Sequence, residues 1–165
     1  MMRLPVLALF AALAGCGLQP LYQGGSAGVV ATTLSGVDVA PIEGKAGWLM
    51  SAALKDRLSA AGTPRYRLDV ELDDQITGFG VRRDDAVTRE RRTLRARFRL
   101  VEIGPGTVVL DATAGSDAGI DVVSSDYATI AAENTALERL TGTVADQIVA
   151  RVALYARRAA EQPAQ

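Results

Sequence analysis

RYRLDVELDDQITGF (residues 65–79) and RERRTLRARFRLVEI (residues 89–103) both alternate between apolar and polar side chains. A period of two marks strands with one face buried and one in water. Tyr66, Leu68, Val70, Leu72 and Ile76 share one face of the first strand, and Arg65, Arg67, Asp69, Glu71, Asp73 and Gln75 share the other. In the second, Leu94, Ala96, Phe98 and Leu100 lie opposite Arg91, Thr93, Arg95, Arg97 and Arg99. Facing residues of an antiparallel pair have numbers with a constant sum, and that sum must be even if the two apolar faces are to coincide. A sum of 168 sets Leu68 against Leu100 and Val70 against Phe98, with the chain reversing around Asp84. On the charged face it sets Asp69, Glu71 and Asp73 against Arg99, Arg97 and Arg95. Each exposed rung contributes about 0.2–1 kcal/mol, enough to favour the register and keep the face soluble.

Working outward, Gly104-Pro105-Gly106 makes a turn into TVVLDATA (107–114), which points Val108, Leu110, Ala112 and Ala114 inward and completes a meander. A first strand is expected over Leu34 to Ile42, stopped by Pro41, with Gly44 and Gly47 opening a turn. Met50, Leu54, Leu58 and Ala61 recur at helical spacing, so a helix is expected over Trp48 to Ala61 and is closed by Gly62-Thr63-Pro64. Residues 124–160 read as one long helix capped by Ser125 or Asp126, with Tyr127, Ile130, Leu137, Val144, Ile148 and Tyr155 in its apolar stripe. The expected fold class is α+β: a two-layer sandwich of a four-stranded mixed β-sheet with two helices on one face. The other face, with its charge ladder, is left bare.

Beyond the ladder, Arg82, Arg83, Arg89, Arg91 and Arg92 cluster at the hairpin tip with only Asp84, Asp85 and Glu90 for company. Guanidinium groups present the forked geometry that grips phosphates and carboxylates, which makes these five the candidate ligand site. The alternatives are a solvated loop, or a loop that forms salt bridges to a partner protein.

The start of the chain, MMRLPVLALFAALAGCGLQPLY, pairs Arg3 with an apolar run from Leu4 to Ala14 too short to span a bilayer. The small pair Ala14-Gly15 precedes Cys16, the only cysteine, and the LAGC string resembles a bacterial lipobox. Residues 1–15 are therefore expected to be a lipoprotein signal peptide and Cys16 the lipidated first residue of the mature chain. Several acyl chains hold a protein stably on a membrane. Gly17 stands where aspartate would favour inner-membrane retention, so outer-membrane anchoring is expected. Residues 16–28 read as a flexible tether, 29–160 as a single domain and 161–165 as a tail.

Composition excludes several functions. One of the 18 basic residues leaves with the leader, so 17 stand against 19 acidic ones, and general attraction to nucleic acid is disfavoured. Histidine is absent, which removes the commonest general base and metal ligand. There is no zinc motif, phosphate-binding glycine loop or nucleophile elbow, and the neighbouring acids Asp73-Asp74 and Asp84-Asp85 point to opposite faces of a strand. No enzymatic activity, catalytic residue, metal or cofactor is expected.

The lipobox followed by CGLQPLY, the segment VDVAPIEGKAGWLMSAALKDRL (37–58) and the late helix piece ADQIVARV (145–152) together resemble the LPS-assembly lipoprotein family, LptE. The resemblance implies an outer-membrane lipoprotein that plugs the lumen of the lipopolysaccharide-export barrel, LptD, facing periplasm and lumen, and assists lipopolysaccharide assembly. It also implies lipopolysaccharide binding through basic residues near a loop of the sheet. Lysine occurs only at Lys45 and Lys55, so phosphate contacts would rest on arginine. Two other readings stay open: an auxiliary lipoprotein of an ABC-type lipid transport system, which needs no barrel partner, and a periplasmic cell-wall hydrolase, disfavoured by the strand geometry.

Overall fold

A computed structural model describes residues 28–58, 62–81 and 87–161. The elements run α1 (Val29–Ser35), β1 (Val37–Val39), α2 (Gly44–Leu58), β2 (Tyr66–Val81), β3 (Val87–Glu102), β4 (Thr107–Asp121) and α3 (Asp126–Glu161). The sheet is four-stranded in the order β1-β2-β3-β4, with β1 parallel to β2 and the other pairs antiparallel. It is a mixed sheet with its helices layered on one face, the α+β fold that the alternation and the helical spacing imply.

The register of β2 and β3 follows the even sum along the hairpin. Leu68 faces Leu100, Val70 faces Phe98, and the last pair is Val81 with Val87, which keeps the sum of 168. Leu68, Leu94, Phe98 and Leu100 are fully buried and meet Met50 and Leu54 of α2 and Leu137, Val144, Ile148 and Val152 of α3 in one core. Burial of such side chains, at about 1.5–3 kcal/mol each, outweighs any of the surface ion pairs. A slip of one residue would turn all of them to water.

Four expectations need correction. Leu34 does not begin a strand: it belongs to the short helix α1, whose Val30 and Leu34 are buried, so the fold has three helices, α1 packing against α3, and β1 is only three residues long. Gly44 and Gly47 do not form a turn but open α2. At Gly47 a Cβ would stand 2.5 Å from the Ile42 carbonyl oxygen, so only glycine lets the helix pass the Pro41-Ile42 segment. Strand β4 runs seven residues past TVVLDATA, through GSDAGID. A register shift at Leu100/Val101 sets Val108 against Val101, which takes it off the inner face and leaves it exposed. Finally, Tyr127 and Ile130 at the start of α3 are 84% and 54% exposed, because the first turns overhang the core; Leu137, Val144 and Ile148 are buried as the stripe requires.

The layout gives the molecule two ends. Arg65 and Tyr66 at the start of β2 pack near Val29 and Thr33 of α1 and Ala159 of α3, so the described chain enters at this end. Helix α2 runs parallel to α3, because Lys45 bonds Asn134 and Arg57 bonds Asp146, each pair 89 residues apart. The β2–β3 tip lies at the far end, a strand of 16 residues or about 50 Å away.

Candidate functional site

Of the five tip arginines, Arg82 and Arg83 lie outside the described residues, as does Cys16. The other three separate by parity. Odd-numbered Arg89 and Arg91 stand on the helix-free face, whereas even-numbered Arg92 stands on the helix-bearing face and is only 9% exposed. Its Nε and a terminal nitrogen donate to Asp74 Oδ1 and Oδ2 at 2.8 and 2.6 Å, and the other terminal nitrogen donates to the Glu133 carbonyl oxygen of α3 at 2.9 Å. The bond to Asp74 raises the Arg92 pKa further above its ordinary value, while burial works against it. Arg92 therefore does not belong with the exposed tip: it fastens the hairpin to α3.

Arg89 and Arg91 remain accessible. The Arg91 guanidinium carbon lies 5.4 Å from the ring centre of Phe79, a cation–π distance, and Phe79 is itself 39% exposed. Arg89 pairs with Asp121 at 3.3 Å with both side chains well exposed, so the bond is weak and exchangeable. The tip thus presents two cations beside an exposed aromatic ring. Phe79 was not among the candidates, yet its odd number places it on the charged face, and that is the signal that finds it.

The ladder below the tip is also rearranged. Asp69, Glu71 and Asp73 do stand opposite Arg99, Arg97 and Arg95, but the ion pairs run diagonally. Arg99 reaches Glu71 at 3.1 Å, Arg97 crosses to Asp111 of β4 at 2.9 Å, and Arg67 bonds Asp69 on its own strand at 2.8 Å. Arginine is long enough to choose a diagonal neighbour, and β3 as a central strand has acids on both sides. Arg97 holds the Asp111 carboxyl below its ordinary pKa. Asp73 accepts instead from Gln75 at 3.0 Å, and among the described residues Arg95 has no ion pair. Arg95 and Arg97 line an open depression of about 610 Å³ together with Glu71, Asp73, Thr113 and Gly115, with Gln147 and Arg151 of α3 at its β4 rim.

Among the described residues no group of His, Cys, Asp and Glu is arranged to hold a metal ion, and no helix is long and apolar enough to cross a membrane. What the face can do chemically is bind anions and aromatic or apolar groups side by side.

Known proteins share this fold. No curated protein sequence matches the chain significantly. Among solved structures, a candidate lipoprotein from Caulobacter crescentus CB15 is 27% identical, with a TM-score of 0.66 over 84% of this chain and 100% of that one. Rare lipoprotein B from Shewanella oneidensis shares the fold at 8% identity, with a TM-score of 0.60 over 76% of this chain and 97% of that one. A minor lipoprotein from Acinetobacter baumannii does so at 12% identity, with a TM-score of 0.54 over 72% and 88%. The profile of the LptE family, described as lipopolysaccharide-assembly, matches residues 34–152. That span takes in the strands, α2 and most of α3, and the chain belongs to the LptE lipopolysaccharide-assembly family.

Proposed function

We propose that the chain is an outer-membrane lipoprotein, anchored through acylated Cys16, whose folded domain plugs a lipopolysaccharide-export barrel of the LptD kind and meets lipopolysaccharide at its hairpin tip. Family membership supports the role in lipopolysaccharide assembly. The observation that carries the tip assignment is the grouping of Arg89, Arg91 and Phe79 on the helix-free face. It lies about 40 Å from the end at which the described chain enters. Two guanidinium groups match lipid phosphates and the ring matches an apolar neighbour. Arg82 and Arg83 extend the same basic segment in sequence.

Charge reversal tests the assignment. Arg89→Glu with Arg91→Glu alters exposed side chains only, so folding stability changes by no more than about 0.5 kcal/mol per site. Retention of the barrel and binding of lipopolysaccharide are then measured on the same variant. Loss of lipid binding with the barrel retained is the expected result. Loss of the barrel with lipid binding intact makes the tip a docking element. If both persist, the tip is a solvated loop.

A further inference from the structure

The sheet has two open edges, and they differ. Tyr66 N–H donates to the Gly36 carbonyl and the Leu68 carbonyl accepts from Ala40, so the even-numbered residues of β2 turn their backbone groups away from β3. Strand β1 ends at Val39, opposite Leu68. From Leu72 through Asp74, Ile76 and Gly78 the same groups have no backbone partner among the described residues, and residues 73–80 are exposed. The opposite edge, on β4, is interrupted. Gln147 of α3 donates to the Gly115 carbonyl at 3.3 Å and accepts from the Gly115 N–H at 3.2 Å, closing that edge in its middle. Natural sheets blunt long free edges with lysine, proline or a bulge. Between Leu72 and Gly78 there is no lysine or proline, and the inward charge of Asp74 is already matched by Arg92.

We infer that the β2 edge from Leu72 to Gly78 is a strand-addition site for an extended segment of a partner protein that carries basic residues at alternate positions and apolar ones between. The side chains choose the occupant. Toward the helix-free face this edge shows Glu71, which Arg99 already holds, and Asp73, whose only partner among the described residues is Gln75. Toward the other face it shows Leu72 and the 42% exposed Ile76. The two-period pattern that satisfies both is the one β3 already presents to the other side of β2, arginine outward and apolar inward. A second copy of this chain fits poorly, since two β2 edges would bring acids against acids. Backbone bonds would supply affinity and the alternating side chains selectivity.

The test uses the full chain in detergent, isotopically labelled for amide NMR, and a synthetic peptide of β3 sequence, TLRARFRLV, with a control peptide in which the three arginines are glutamates. The basic peptide should slow hydrogen exchange at the amides of Leu72, Asp74, Ile76 and Gly78. Glu71, Asp73 and Gln75, whose amides face β3, should not change. The acidic peptide should bind roughly ten-fold more weakly. In the Asp73→Lys variant the preference should narrow or reverse while the even-numbered amides are still protected by a bound peptide, an outcome an unfolded variant could not give. Three results overturn the inference: even-numbered amides already slow without peptide, which makes a segment of this chain the occupant; protection with no odd–even pattern; or equal binding of both peptides.

Discussion

Arg92 and Asp74 join two strands through a forked pair of hydrogen bonds at 2.8 and 2.6 Å, and the same guanidinium reaches the Glu133 carbonyl of α3. Three elements meet at one mostly buried cation. Removing the arginine leaves the partly exposed Asp74 carboxylate and the Glu133 carbonyl without their donor. Arg92→Ala is expected to lower stability by about 2 kcal/mol, between the values for exposed and fully buried pairs. Chemical denaturation checks it, and Asp74→Leu with Arg92→Met should recover most of the loss. A change below 0.5 kcal/mol for Arg92→Ala would return Arg92 to the solvated tip.

Glycine at position 47 is required by contact, since a Cβ there would meet the Ile42 carbonyl carbon at 2.7 Å and its oxygen at 2.5 Å. Alanine normally stabilises a helix interior by about 1 kcal/mol over glycine. Here Gly47→Ala should instead destabilise by about 1–3 kcal/mol through overpacking, read as a lower denaturation midpoint.

Tyr155 sits edge-on to Tyr66, ring centres 6.3 Å apart, and burial raises its pKa above the usual tyrosine value, with Tyr66 adding to the shift. The folded chain thus holds the phenol proton more tightly than the unfolded chain does. Stability from this group is complete below the unfolded pKa of about 10 and is lost as pH rises through the higher folded value. Thermal melts from pH 8 to 11 should show an alkaline decline that Tyr155→Phe reduces.

Within α3 the apolar residues divide by position. Leu137 is 1% exposed, so Leu137→Ala should cost about 2–5 kcal/mol. Ile130, 54% exposed on the overhanging turns, should tolerate alanine within about 0.5 kcal/mol. Parallel denaturation of the two variants tests the division.

These cases mark what was legible in the sequence. Alternation along 65–79 and 89–103 carried the hairpin register, because one buried face leaves only even sums. The same parity would have separated Arg92 from Arg91 and placed Phe79 beside it; grouping the arginines by closeness along the chain hid this. The diagonal ion pairs were not legible, since Asp111 reaches Arg97 only after β4 has docked. Helix α1 escaped notice because seven residues carry too little periodicity to distinguish Leu34 in a helix from Leu34 in a strand. The extension of β4 through GSDAGID was hidden by its small and polar residues, which pair with β3 without alternating.

The central claim is that this LptE-family chain works as a lipid-anchored plug of a lipopolysaccharide-export barrel. Purification of the natively processed protein from its own host in mild detergent, with intact-mass analysis of the chain and mass spectrometry of whatever accompanies it, tests this most directly. The account predicts a mature chain beginning at Cys16 with its thiol alkylated by diacylglycerol, together with one large outer-membrane β-barrel and bound lipopolysaccharide. A chain with a free Cys16 thiol, or one accompanied by an inner-membrane ABC transport system and no barrel, would contradict it.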